Sequence, residues 1–438
     1  MQIVAERSMG FWRATSLVVG NIVGSGMLML PAALGIYGST GLLGWVLTAF
    51  GAICLALVFS NLSRRFPRMG GPYAYSKEAF GDFIGFQMAW CYWVGTWASN
   101  AALATAFVSY LSVFFPVLAE NPLLAFIAGF SVVWLLTFVN MAGVKQASIL
   151  QLILTILKIV PLVAIGIFGI QYINFDHFTP LNPSGQPFLT ALGSAAALTL
   201  FSFLGIESAT IPAENVINPK KTIPLATMVG TVLSAIIYIG LMIVIMGIIP
   251  PAELSKSTAP FAQAGQLIFG GWAGMAIAVV ALISVFGTLN GWILLQAQVP
   301  LAAAADGLFP KLFGKVSKNG TPVIGLVISS ALMTGMLFLN YEAGLVDQFT
   351  KIVIFATFAI LLPYLYSAVA DMYFILKSPE RTYDFTFFKS MTVAILGFAY
   401  TIIIIMGAGQ EAVFLGSIFV FSGIPLYVFI KKDSKILR

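Results

Sequence analysis

At 438 residues, with 59% hydrophobic and only 9% charged side chains and a mean hydropathy of +0.97, the chain lies far outside the range of soluble domains. A net charge of +6 does not argue for nucleic acid, because the basic residues fall in short loops between apolar stretches. Cys54 and Cys91 lie in apolar stretches and His177, the only histidine, in a polar loop, which leaves almost no material for a disulfide framework, a metal site or a His-based triad.

Stretches of about 20 apolar residues, the length a helix needs to cross hydrocarbon, number twelve along the chain. They cover 14–36, 41–62, 83–115, 123–141, 147–171, 188–211, 224–249, 272–304, 322–340, 346–376, 390–408 and 411–430. The expected fold class is therefore an all-α polytopic membrane protein forming a single transmembrane domain over 1–438. The first span runs directly into this core, so no cleavable signal peptide is expected.

The first span carries a glycine-rich fault, Gly20-Asn21-Ile22-Val23-Gly24-Ser25-Gly26. Hydrocarbon offers no water to a freed backbone group, so a broken helix is tolerated only where it lines a cavity or binds something. The resumed half-helix presents unpaired N–H groups and a positive dipole end, suited to a carboxylate. Asn21 and Ser25 add side-chain hydrogen bonds. Close helix packing through small residues is the competing reading of the same glycines. A compact basic turn, with Arg64, Arg65, Arg68 and Lys77 around Gly70-Gly71-Pro72, separates spans two and three.

Span three brings Tyr92, Trp93, Trp97 and Asn100, aromatic rings and an amide that needs a partner in the membrane. Rings can hold a cationic head for about 0.5–2 kcal/mol, although most membrane aromatics pack or anchor. Lys158 is the only basic residue deep inside a span, since Lys351 stands near the start of the tenth. It either bonds carbonyls released by the first fault, in place of a bound cation, or loads and loses a proton during transport. Span six holds the looser second fault, Phe203-Leu204-Gly205-Ile206-Glu207-Ser208. A carboxylate at the bilayer centre costs about 2.5–3.5 kcal/mol on insertion scales, so Glu207 is read as a proton acceptor or a polar staple. Phe201 precedes it, Trp292 follows Gly287-Thr288-Leu289-Asn290-Gly291 in span eight, and Tyr364 stands in span ten. Paired interruptions in the two halves point to a secondary transporter's binding site. Their spacing suits two five-helix units of opposite topology, about 10–172 and 185–377, followed by helices at about 390–430.

Of the 22 Lys and Arg residues, 19 fall at the termini and in the loops of one side. Lys256 and Lys351 fall on the other. The positive-inside rule then puts both termini in the cytoplasm. There is no Walker A loop, no His/Cys ligand pair and no G-x-G-x-x-G after a strand, so neither an enzyme nor a cofactor is expected.

At these residues, and at Gly70-Gly71-Pro72-Tyr73-Ala74-Tyr75, Asn218-Pro219-Lys220-Lys221-Thr222-Ile223-Pro224, Asp306-Gly307-Leu308-Phe309-Pro310 and Pro363-Tyr364-Leu365-Tyr366, the chain resembles the amino acid–polyamine–organocation superfamily, in its basic amino acid/polyamine antiporter branch. The resemblance covers nearly the whole chain. It implies a LeuT-type fold of twelve transmembrane helices, a 5+5 inverted repeat with discontinuous helices 1 and 6, a bacterial inner membrane location and often a homodimer. The substrate, an amino acid or amine, would meet Asn21, Ile22, Gly24, Ser25 and Gly26 on one break and Phe201, Phe203, Leu204 and Gly205 on the other. Glu207 would sense protons, Tyr92, Trp292 and Tyr364 would gate, and Asn100 would lie near the substrate side chain. Phe201 and Ala356 stand where arginine/agmatine antiporters carry a tryptophan and a serine. Lys158 resembles the fifth-helix lysine that fills the sodium position in proton-coupled relatives, so sodium dependence is not expected. Two functions remain open: an antiporter exchanging amino acids, cationic ones or their amines, and a proton-coupled symporter of broad or neutral specificity.

Overall fold

Glycine and proline punctuate a chain that is otherwise almost continuous helix. A computed structural model describes residues 9–67, 70–141, 147–210, 213, 216–317, 321–377 and 384–435. Among them there is no strand, only an isolated bridge between Met9 and Val216. The first expected span is two helices, α1 (Phe11–Ile22) and α2 (Ser25–Gly35), interrupted at Val23 and Gly24. Then follow α3 (Thr40–Arg65), α4 (Pro72–Phe80), α5 (Asp82–Leu111), the single turn α6 (Val117–Glu120), α7 (Pro122–Met141) and α8 (Ala147–Gly169). The sixth span is α9 (Phe188–Leu200), which tightens into 3-10 turns at Phe201–Phe203 and Ser208–Thr210.

The second half continues with α10 (Pro219–Ile248), the single turn α11 (Pro251–Leu254), α12 (Pro260–Phe269) and α13 (Gly271–Ala305). It closes with α14 (Val323–Leu339), α15 (Leu345–Lys377), α16 (Phe385–Gly407) and α17 (Gln410–Lys435). Nine stretches of the described residues are helical, long and apolar enough to cross a membrane. The chain is thus a multi-pass α-helical membrane protein. The other three expected spans are helical too, as α5, α8 and α14.

Besides the single turns α6 and α11, two helices lie where the sequence reading has only loop. In α4, proline at the first turn supplies the fixed φ that a helix start needs, and Gly81 ends it. The same pairing, Pro260 and Gly270, brackets α12.

Packing divides the long helices into two groups that hold the breaks between them. On one side α3 packs against α10 and α9, and α1 against α10 and α8. On the other, α5 packs against α13, α15, α14 and α7. The α3–α9 contact is tight enough that Thr48 Oγ1 and Thr199 Oγ1 share a hydrogen bond of 2.7 Å. The α5 group is bound through buried polar side chains: Asn100 to Gln296, Gln296 to Ser330 and Trp93 to Ser329.

Candidate substrate-binding site

The site is built where the two interrupted helices press together. Gly24 caps α2 without a side chain to accept the first N–H groups, so that turn is left open to a ligand oxygen. A Cβ on Gly26 would sit 2.5 Å from Ser202 Oγ and 3.1 Å from Ser202 Cα, so the breaks touch only because residue 26 has no side chain. Gly205 takes φ +109°, a conformation closed to L side chains, and bends the second break toward Asn21. Asn21 Nδ2 then donates to Ser208 Oγ across the gap at 2.9 Å. Behind both breaks stands Tyr238 of α10, whose hydroxyl lies 2.6 Å from the Ile22 carbonyl and 3.1 Å from that of Ser202.

A narrow cavity of about 30 Å³ lies between these breaks and the α5 group. The first break supplies Asn21, Ile22, Gly24 and Gly26; the second supplies Phe201 and Leu204. Thr96, Ser99 and Leu103 of α5 face them, with Thr288 and Trp292 of α13 and Ile360 of α15. No carboxylate or basic side chain lines it among the described residues. What it offers is backbone N–H at one end, hydroxyls and an amide along the side, and the rings of Phe201 and Trp292. Phe201 is held edge-on to Phe349 at 5.8 Å. Those groups suit the carboxylate and ammonium of a small zwitterion beside an apolar, ring-lined wall.

Glu207 lies just behind, only 1% exposed. Tyr92 Oη donates to its Oε1 and Tyr364 Oη to its Oε2, each at 2.5 Å, and the Gly205 N–H donates to Oε2 at 3.2 Å. One carboxylate therefore joins the second break to α5 and α15. Of the residues expected from sequence to handle protons and gating, Tyr92, Glu207 and Tyr364 form a single contact set, Trp292 lines the cavity, and the Lys158 side chain lies outside the described residues.

The other expected site residues distribute as follows. Phe203 turns away from the cavity, edge-on to Trp45 and Tyr238. Asn100 is fully buried and donates to Gln296 at 2.7 Å. Ala356 is fully buried where α15 meets Gly95 of α5. Neither Asn100 nor Ala356 is part of the cavity wall. Ser25 begins α2 and Lys158 lies within α8, but their side chains fall outside the described residues. Sequence reading missed Tyr238, Gln296 and the wall residues Thr96, Ser99 and Leu103. The last three recur at helical spacing around Asn100, which was a usable signal. It also missed Asp371, a fully buried carboxylate of α15 that accepts from Asn61 Nδ2 at 3.1 Å.

An amino acid permease family model matches residues 9–427. The chain is 35% identical over 434 residues to a cadaverine/lysine antiporter of Escherichia coli, covering 98% of this chain and 96% of that protein. It is 33% identical over 426 residues to the putrescine transporter PotE of Haemophilus influenzae, covering 97% of each, and 32% identical over 428 residues to PotE of Escherichia coli.

Proposed function

The chain belongs to the amino acid permease family, and from that premise we propose that it is a sodium-independent secondary antiporter exchanging amino acids by alternating access. Cationic amino acids and their decarboxylated amines are its substrate class. The observation that carries this reading is the pairing of two helix breaks around one cavity, with an uncapped half-helix end for a carboxylate and Glu207 bonded to both walls behind it. The antiporter and putrescine-transporter names of the relatives support the substrate class.

In this reading Gly24, Ser25 and Gly26 cradle the α-carboxylate. The rings of Phe201 and Trp292 flank the side chain, and Tyr92 and Tyr364 move with the protonation of Glu207. Helices 1–5 and 6–10 form the inverted repeat, both termini face the cytoplasm of a bacterial inner membrane, and two copies form the homodimer.

Counterflow in liposomes decides the exchange. Uptake of labelled lysine or cadaverine is expected only when the vesicles are preloaded with a partner substrate. Uptake into empty vesicles under a pH gradient would instead establish a proton-coupled symporter, the reading that Lys158 favours.

A further inference from the structure

The buried polar side chains of the α5 group form one chain of hydrogen bonds whose direction is fixed at its far end. Thr137 Oγ1 donates to the Val133 carbonyl at 2.7 Å, and a carbonyl can only accept. The Thr137 hydroxyl has a single proton, so its 2.8 Å contact with Ser330 Oγ must run from Ser330 to Thr137. Ser330 has then used its proton, and its oxygen accepts from Gln296 Nε2 at 3.1 Å. Gln296 is therefore oriented with Oε1 toward Asn100, where it accepts from Nδ2 at 2.7 Å.

The end of the chain is the Asn100 carbonyl oxygen. It is buried and accepts no hydrogen bond among the described residues. Leaving such a group unsatisfied costs about 1–3 kcal/mol. Asn100 lies directly behind the cavity wall rather than on it, on the helix face it shares with the wall residues Thr96, Ser99 and Leu103, and Gln296 stands one turn beyond Trp292 on the facing helix.

We infer that Gln296 is a specificity-determining positioning residue: through the chain Thr137–Ser330–Gln296 it holds Asn100 with its oxygen as an acceptor for a side-chain donor of the substrate, such as a terminal ammonium. This rests on the proposed substrate class and adds the group that selects for it. If the chain ran the other way, Asn100 would present its NH2 group and repel a cation. The polarity of a distant serine–threonine pair thus reaches the substrate's distal end.

Lysine and norleucine, which share a backbone and stem and differ in the terminal ammonium, separate this role from a structural one. The measurement is the ratio of their dissociation constants on the purified full-length protein. Wild type is expected to favour lysine by about tenfold or more, the size of one hydrogen bond to a charged donor. Gln296→Met and the isosteric Thr137→Val are both expected to lower that ratio at least severalfold while norleucine binding holds. If Gln296→Met fails to fold, Thr137→Val and Ser330→Ala decide. A high wild-type ratio that survives in the folded variants, or falls only because both ligands weaken equally, overturns the inference alone. A wild-type protein that does not favour lysine, or binds neither ligand, overturns the cationic substrate class and the inference with it.

Discussion

Single atoms decide whether the two breaks can meet. At Gly26 one added methyl would lie 2.5 Å from Ser202 Oγ and 3.0 Å from Phe201, with backbone close behind. Gly26→Ala is therefore expected to push the breaks apart and to weaken substrate binding at least tenfold by calorimetry. Gly335→Ala, where an added Cβ meets nothing within 4 Å, is expected to leave binding unchanged. Binding that survives in Gly26→Ala would remove the first break from substrate recognition. Glu207→Gln keeps the shape but no longer titrates. It is expected to retain binding while flattening the pH dependence of exchange, and a wild-type pH profile in that variant would exclude the proton role. The sequence exposed both residues, because glycines and a carboxylate inside an apolar span are anomalies that need no partner to be noticed. Tyr238 and Gln296 stayed hidden because a tyrosine or glutamine in a span is unremarkable until its partner's position is known.

Element by element, helices reveal themselves by composition and their contacts do not. The long apolar runs gave away every expected span as a helix, α5 included, although α5 falls short of the apolarity of the nine. Gln87, Thr96, Ser99, Asn100, Thr105 and Ser109 are buried along it, their polar groups turned to protein rather than lipid. The first break was legible from its glycines, whereas the turn directions that send Phe203 into packing and Phe201 into the cavity were not. At the aqueous end of α5, Lys431 of α17 donates to Asp82 at 2.6 Å and holds that carboxyl below its ordinary range. A lowered carboxyl contributes stability above its unfolded pKa and loses it as pH falls through the folded value. Both side chains are substantially exposed, so the tether contributes at most about 1 kcal/mol. Asp82→Asn is expected to lower the melting temperature slightly at pH 7 and not at all in acid, where Asp82 is already protonated. An equal loss at both values would show that the charge is not what matters.

For the molecule as a whole, orientation is the property on which sequence speaks most directly, because the insertion machinery reads loop charge rather than packing. Cys54 and Cys91 are buried, so an introduced cysteine can be read without background. Lys220→Cys is expected to react with a membrane-impermeant thiol reagent only from the cytoplasmic side, and Lys256→Cys only from the opposite side. The reverse pattern would invert the assignment of both termini. The packing that joins the two helix groups into a transporter left no comparable trace in the sequence, since it depends on contacts between residues more than a hundred positions apart, such as Tyr92 and Tyr364 on Glu207. The Tyr238 hydroxyl is a further contact of this kind, with one proton for two carbonyls, those of Ile22 and Ser202. The two broken helices are therefore rivals for a single donor. When one retreats, the bond passes to the other instead of being forfeited, so a shift that would strand a buried carbonyl becomes an exchange between neighbours. Tyr238→Phe would abolish that handover and remove the shared donor, leaving the Ile22 carbonyl only its bond from the Gly24 N–H, at a cost of about 1–3 kcal/mol, which a fall in melting temperature together with slowed exchange would register.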